Sequence, residues 1–280
     1  MNTSSDTPQS IHAVAVCYRL PPAEFIGKLQ TLAARSGTRL RGVVVSNNPE
    51  HPLTSPSPDI EVVRGSNAHL DFSGYFEGLE RLAPALADAA SGNVLFINDS
   101  LLVKHAAGCI LRRVLGLDRL FRQLDVPAIG GKVDPYRSVC LRNPWSGHVG
   151  YVTSFCFLLN ASARPMLRGL LADAAADGVL ASSPVNDAAW GAGMRPVMRE
   201  HIRAHLTYEG SPYLWQSTSG RDAEVIRKKA RCVYFESRLS GAIGSEGAVV
   251  PINSGPRSRA DIFLNESMAR VVRTLQGARQ

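Results

Sequence analysis

The sequence predicts an α/β protein whose sheet is mostly parallel and doubly wound. Short apolar runs typical of buried strands alternate with segments whose apolar residues recur every three or four positions. Several of these runs end on small polar residues, at the place where such sheets bind ligands. The chain has 280 residues, 45% of them hydrophobic and 20% charged, which suits one large globular domain or two small ones.

Four strands and two helices are predicted in the first third of the chain. The strands cover 12–18, 39–48, 59–65 and 93–99, and each is rich in apolar or β-branched side chains. One helix opens at Pro21 and Pro22, and a second lies between Ser73 and Ala90. The segment between residues 48 and 59 carries four prolines and is predicted to be a loop.

The rest of the chain is less regular, and neither an internal repeat nor a strong linker divides it. The predicted elements are a strand with a glycine turn at 126–136, a loop at 143–147, a long strand at 148–160, a helix at about 161–175, a short helix capped by Ser or Asn at 182–193, a loop-like stretch at 209–221 and an amphipathic helix at about 258–277.

Charge and cysteine content narrow the function only slightly. The formal net charge is +7, which favours nucleotide phosphates, anionic lipid headgroups or nucleic acid as partners. No recognisable nucleic-acid-binding module is present, so we expect no nucleic acid partner. The five cysteines are far apart and form no CxxC pair, which predicts buried reduced thiols rather than a zinc site or a disulfide framework.

The sequence predicts a cytoplasmic protein. Its first ten residues, MNTSSDTPQS, lack the basic and apolar regions of a signal peptide, and its apolar stretches are too short to cross a bilayer. The basic cluster at 227–231 and the amphipathic end could still rest on anionic lipid. A solvated basic surface is the ordinary alternative.

Polar residues follow three of the predicted strands. These endings are Asn47-Asn48, Gly65-Ser66-Asn67 and Asn98-Asp99-Ser100. Because the carboxyl ends of parallel strands share one edge of a sheet, we expect them to form a site. Asp99 suits a hard divalent cation, although these residues could simply cap the turn or helix that follows. In the 64–80 segment, backbone amides and the side chains of Asn67 and Asp71 could bind a ligand. The alternative interpretation is that this segment is a surface turn.

In this order the motifs resemble the GT-A glycosyltransferases, and especially the rhamnan-synthesis-F-like and related bacterial polysaccharide glycosyltransferases. The matching segments are VAVCYR (14–19), VVVSNN (43–48), VVRGSNAHLDFSGYFEGLERL (62–82), VLFINDSLL (94–102) and, for the acceptor-side strand, GHVGYVTSFCFLLN (147–160). The resemblance covers roughly 12–160. It implies a single GT-A-like domain with a mixed, mostly parallel sheet. A Rossmann-like nucleotide-sugar-binding half (about 12–103) would precede a less regular acceptor-side half (about 104–280).

The resemblance also implies roles for individual residues. Tyr18 and Arg19 would lie near the nucleotide base, and Asn47, Asn67, Asp71 and Asn98 near the nucleotide or donor sugar. Asp99 would meet a divalent cation, Mn²⁺ or Mg²⁺, on the diphosphate, and His205 would complete the metal shell. The family motif has two acids where this chain has one, so basic side chains could replace the metal. The candidates for that replacement are Lys132, Arg137 and Arg142.

Fewer signals point to a catalytic base and an acceptor site. Asp187 is the candidate base, unless it only favours the dipole at the start of a helix. His201 and His205 lie four residues apart and could instead be surface histidines, since no neighbouring acid completes a zinc-protease pattern. The aromatic residues that could stack on an acceptor sugar, or simply pack, are Trp145, Trp190, Tyr213 and Trp215.

The expected function is therefore a hexosyltransferase-type glycosyltransferase of bacterial surface-polysaccharide synthesis. It would move a sugar from a nucleotide-diphosphate donor to a saccharide or lipid-linked saccharide acceptor. The alternative is a non-catalytic nucleotide- or glycan-binding module of the same fold, because the acidic motif is reduced. Nucleotidyl transfer would need clustered carboxylates for two metals, and the sequence shows no such cluster.

Overall fold

A computed structural model describes residues 9–87, 92–135, 142–207 and 222–277. Seven strands in these ranges form one sheet in the order β3-β2-β1-β4-β6-β5-β7. All neighbours pair in parallel except β6, which is antiparallel to both β4 and β5. The strands are β1 (Gln9–Cys17), β2 (Thr38–Ser46), β3 (Ile60–Arg64), β4 (Val94–Asn98), β5 (Ala128–Asp134), β6 (Tyr151–Leu159) and β7 (Ala248–Pro251). The predicted α/β class and the mixed, mostly parallel sheet are confirmed.

This topology brings the ends of six strands to one side. Every strand except β6 ends at the same edge of the sheet, which we call the carboxyl edge, and β6 begins there. The polar endings predicted from the sequence therefore share an edge. The sequence located the strands up to β6 within about three residues of their observed bounds, because strands that are buried on both faces are nearly continuous apolar runs.

Helices cover both faces of the sheet. One face packs against α2, α6, α7 and α8, and the other against α1, α3, α4, α5 and α9. The helices are α1 (Pro22–Ala34), α2 (Asp71–Ala87), α3 (Ser100–Lys104), α4 (Ala107–Leu115), α5 (Asp118–Phe121), α6 (Arg164–Ala176), α7 (Pro196–Leu206), α8 (Ala223–Glu246) and α9 (Pro256–Gly277), with a 3₁₀ turn (Ala161–Ala163) before α6. None of these helices is both long enough and apolar enough to cross a bilayer.

Aromatic side chains form the centre of the α2–α8 face. Phe96 of β4 stacks on Phe157 of β6 with ring centroids 4.9 Å apart. Tyr75 of α2 meets both rings edge-on, at 5.4 and 5.5 Å. Phe72, one turn earlier, packs on Phe235 of α8 at 5.1 Å. These contacts join elements from both halves of the chain into a single core.

The helix predicted at 182–193 is wrong, since this segment is a series of turns. Asp187 accepts a hydrogen bond from the backbone N–H of Ala189 at 2.7 Å, which closes a local turn. Gly191 has a φ of +64°, and the fully buried Trp190 anchors the segment to the core. The predicted loop at 209–221 lies outside the described residues.

The four cysteines within the described residues are buried free thiols.

Because β1 packs closely against β2 at Gly42, we expect Gly42→Ala to lower the stability of the protein strongly. A Cβ at Gly42 would lie 2.1 Å from the carbonyl oxygen of Ala13, and its φ is +145°. We expect the free energy of unfolding, measured in urea, to fall by at least about 2 kcal/mol. Gly27→Ala is the control, because Gly27 lies in α1 with open space around its Cα. That change should raise stability by about 0.5–1 kcal/mol; equal effects of the two variants would contradict the packing argument.

Candidate functional site

Asp99 holds the carboxyl edge together. It follows β4 directly, and its Oδ2 accepts three backbone N–H hydrogen bonds, from Tyr18 at 2.9 Å, Arg19 at 2.6 Å and Leu20 at 3.1 Å. Its own backbone N–H donates to the carbonyl of Val16 at 3.0 Å. The buried carboxylate therefore fixes the loop between β1 and α1. It does not cap α3 through its side chain.

Asn98 connects the same strand end to the opposite layer. Its Nδ2 donates to Oδ2 of Asp71 at 2.7 Å, and its Oδ1 accepts from the backbone N–H of Ser100 at 3.0 Å. Asp71 is the first residue of α2. Because successive side chains of a strand alternate between faces, Asn98 and Asp99 reach opposite layers of helices from one point.

Asn47 fixes the loop that leads from β3 into α2. Its Nδ2 donates to the carbonyl of Leu70 at 2.9 Å, and that carbonyl also accepts from the hydroxyl of Ser73 at 2.7 Å. Leu70 and Asn67 both have a φ of +52°, in the left-handed region that costs a leucine free energy. The strained loop is thus held in one shape, with Asn67 inside it and Asp71 directly after it.

Three cations lie beside these carboxylates. The pKa of Lys104, at the end of α3, is lowered by burial and by the nearby charges of Arg19 and Lys229, while Asp71 and Asp99 oppose this shift. Glu236 belongs to the same group, because Lys229 lowers the pKa of its carboxyl and that of Asp71. The site therefore mixes three positive and three negative side chains in a partly desolvated space.

The two acids on the α2–α8 side hold protons more readily than ordinary carboxyls. Burial raises the pKa of Asp71 to about 6, and the charges of Asp99 and Glu236 add to this shift. Burial also raises the pKa of Glu236, although its Oε1 accepts from the backbone N–H of Ser154 at 2.8 Å. The pKa of about 6 suits Asp71 to proton exchange near neutral pH.

The predicted divalent-cation site is not assembled from side chains in the described part of the chain. No group of three or more His, Cys, Asp or Glu residues there could hold a metal ion. Oδ2 of Asp99 already accepts three amide hydrogen bonds. His205 lies on α7, where its ring stacks on that of His201 at 6.0 Å. A cation site formed by Asp99 and His205 therefore stays a prediction.

The sequence-predicted replacements for the metal lie elsewhere. Lys132 contacts Glu266 of α9 at 3.3 Å and Asp134 at 3.7 Å, and its side chain helps to dock α9. Arg142 donates to the carbonyl of Gly147 at 3.2 Å. Arg137 lies outside the described residues. Arg19, Lys104 and Lys229 are the cations that the fold brings to Asp71 and Asp99.

Asp187 and the aromatic candidates are not joined to this cluster by any contact that the structure describes. Asp187 is exposed, and its backbone carbonyl accepts a hydrogen bond from Arg203 of α7 at 2.5 Å. Trp190 is fully buried, and Trp145 packs edge-on against Tyr234 with Arg238 over its ring. Both tryptophans are therefore packing residues in this structure, while Tyr213 and Trp215 lie outside the described residues. Tyr18 is half-exposed at the end of β1, next to Arg19.

Three site residues were not identified from the sequence. Lys104 follows Asp99 by five residues, so a helix beginning at Ser100 would have placed it one turn from the strand end. Lys229 and Glu236 are seven residues apart on α8, a spacing that puts both on one helix face. That spacing can be read from the sequence. The sequence does not show, however, that this face of α8 packs against the site.

Comparison of the chain with protein-family models, curated proteins and solved structures finds no match.

Removing the Asp99 carboxylate should destabilise the protein strongly. In Asp99→Ala three backbone N–H groups lose their acceptor, and we expect urea unfolding to show a loss of roughly 3 kcal/mol or more. The matched variant is Asp187→Ala, in which one N–H in an exposed turn loses its acceptor, and its cost should stay below about 1 kcal/mol. Similar losses in the two variants would show that the three hydrogen bonds do not hold the loop.

The raised pKa of Asp71 predicts that stability changes with pH. The folded protein takes up this proton near pH 6, whereas the unfolded chain does so near pH 4 at about the ordinary value. Stability should therefore rise as the pH falls from about 6 to about 4, by up to roughly 3 kcal/mol from this group. In urea unfolding across this pH range, the free energy of unfolding of Asp71→Asn should change less with pH than that of wild type. Identical slopes in wild type and variant would contradict the assignment.

Proposed function

We propose that the protein is a GT-A-type glycosyltransferase that moves a sugar from a nucleotide-diphosphate donor to a saccharide acceptor in surface-polysaccharide synthesis. The observation that supports this proposal most is the joined polar edge. Asn47, Asp71, Asn98 and Asp99 come from two strand ends and one helix start, and hydrogen bonds fix their positions. Arg19, Lys104 and Lys229 lie beside them.

The chemistry of this edge suits a nucleotide sugar. Amide and carboxyl side chains can bind the hydroxyl groups of ribose and of the donor sugar. Cations beside them attract the diphosphate and stabilise the charge that grows on it as it leaves. Tyr18, half-exposed at the end of β1, offers a ring on which a base can stack.

In the proposed transfer, the acceptor hydroxyl oxygen forms a bond to the anomeric carbon of the donor. The bond between that carbon and the diphosphate oxygen breaks, and the diphosphate keeps the electron pair. The hydroxyl proton passes to a carboxylate. Asp71 suits this role better than Asp187, because it lies at the carboxyl edge and its raised pKa of about 6 favours proton uptake near neutral pH. Arg19, Lys104 and Lys229 would neutralise the diphosphate.

A second candidate is a nucleotide- or glycan-binding module without catalysis. The hydrogen bonding of Asp99 favours it, because a carboxylate oxygen that already accepts three amide N–H groups is poorly placed to hold a metal. Both candidates use the same edge and differ only in whether the glycosidic bond forms. A turnover assay is needed to separate them.

The test is calorimetric titration with UDP-, GDP- and dTDP-sugars, each with and without Mn²⁺. Lys104→Gln and Lys229→Gln should each weaken binding of the recognised donor by about tenfold, because each removes a charge near the diphosphate. Lys28→Gln is the control, since Lys28 is an exposed lysine of α1 that pairs with Glu24.

Three results decide between the candidates. Release of nucleoside diphosphate in the presence of a saccharide acceptor supports transfer. Binding of a donor with neither transfer nor donor hydrolysis identifies the module. Failure of wild type to bind any of the donors overturns both.

A further inference from the structure

Helix α9 has an unusual orientation on the protein surface. Its large apolar side chains face solvent, with exposed fractions of 68% for Phe263, 58% for Leu264, 59% for Met268 and 58% for Val271. Ile262, by contrast, is buried at 3%. Leu264, Met268 and Val271 are spaced by four and three residues, so they form one stripe along the helix. We call these three residues and Phe263 the outer stripe.

The polar side of the helix contacts the rest of the protein. Glu266 accepts contacts from Lys132 at 3.3 Å and from His105 at 3.2 Å. Asp261 pairs with Arg113 of α4. These are the two acids of α9, and both form ion pairs with residues of other elements, although Asp261 is partly exposed. The docking of α9 therefore depends largely on charge, and this docking leaves the outer stripe uncovered.

Three exposed side chains of α9 are positively charged. Arg257, Arg259 and Arg270 of α9 are exposed, alongside the outer stripe. An apolar stripe bordered by arginines on a surface helix is the pattern of helices that lie in the plane of a membrane. A second copy of the chain would bring arginines against arginines, whereas an anionic lipid surface would neutralise them.

We propose that α9 binds the surface of an anionic membrane through its outer stripe and its exposed arginines. The apolar side chains enter the boundary between headgroups and acyl chains, and the arginines contact the phosphates. Of the two segments that the sequence suggested for lipid contact, this surface uses the amphipathic end and not the basic cluster at 227–231. There, Lys229 faces Asp71 and Glu236, and the buried Arg231 donates to the carbonyl of Leu180 at 3.2 Å.

The position of α9 relates this surface to the candidate site. Glu266 contacts Lys132 near the end of β5 and His105 at the end of α3. Asn253, just before α9, both accepts from and donates to the backbone of Val133 at the end of β5. The membrane surface would therefore lie beside the carboxyl edge. If the proposed function holds, an acceptor attached to a lipid would reach the site from that surface.

The test is co-sedimentation of the full chain with vesicles, without any nucleotide sugar, so its outcome does not depend on the proposed transferase activity. Wild type should bind vesicles of phosphatidylcholine mixed with phosphatidylglycerol and bind pure phosphatidylcholine far less. The double variant Leu264→Gln, Met268→Gln should bind the anionic vesicles at least about tenfold more weakly. Arg259→Gln with Arg270→Gln should weaken binding by roughly fivefold per arginine and reduce its dependence on salt.

A matched control comes from α5, at the opposite edge of the sheet. Arg119 and Leu120 are also an exposed arginine and an exposed leucine, and Arg119→Gln with Leu120→Gln should leave vesicle binding unchanged. All the altered side chains are exposed, and thermal unfolding followed by circular dichroism confirms that each variant is folded.

Several outcomes would overturn the proposal. Absence of wild-type binding to anionic vesicles is one, and binding that the α9 variants leave unchanged is another. Self-association that is lost in the Leu264→Gln, Met268→Gln variant, without vesicle binding, would instead identify a second copy of the chain as the occupant of the stripe.

Discussion

The carboxylate of Asp99 is the interaction on which the carboxyl edge depends. The backbone N–H groups of Tyr18, Arg19 and Leu20 converge on one of its oxygen atoms, after β1 has ended and before α1 begins. A buried N–H without an acceptor costs more free energy than a formed hydrogen bond gains. The loop therefore keeps its shape only while a negatively charged acceptor stands at the end of β4.

Asn98 and Asp99 together connect the three layers of the fold. The strand pleat sends Asn98 toward α2 and Asp99 toward α1, so two consecutive residues fix a helix start on one face and a loop on the other. The same arrangement brings Lys104 and Lys229, from helices on opposite faces, close to Asp71. A small change in the end of β4 would thus move donor and acceptor groups on both sides of the edge.

The sequence predicted the part of the site that lies on strands. Apolar runs located β1 to β4, and the rule that ligands meet strand carboxyl ends then selected Asn47, Asn98 and Asp99. Short helices such as α3 were missed because five residues carry too little periodicity. The helix predicted at 182–193 was wrong because turn residues and the burial of Trp190 override its local pattern. Lys229 and Glu236 could not be placed, because nothing local shows which layer α8 covers.

The aromatic core has a consequence for synthesis of the chain on the ribosome. The first four strands pair with one another in parallel, yet the side of α2 that carries Phe72 is covered by Phe235, more than 160 residues later. A nascent chain that has completed β4 still lacks α8, and it exposes apolar side chains that the finished protein buries. Because the two halves share this core, we expect the carboxyl edge to become ordered only after α8 has been made.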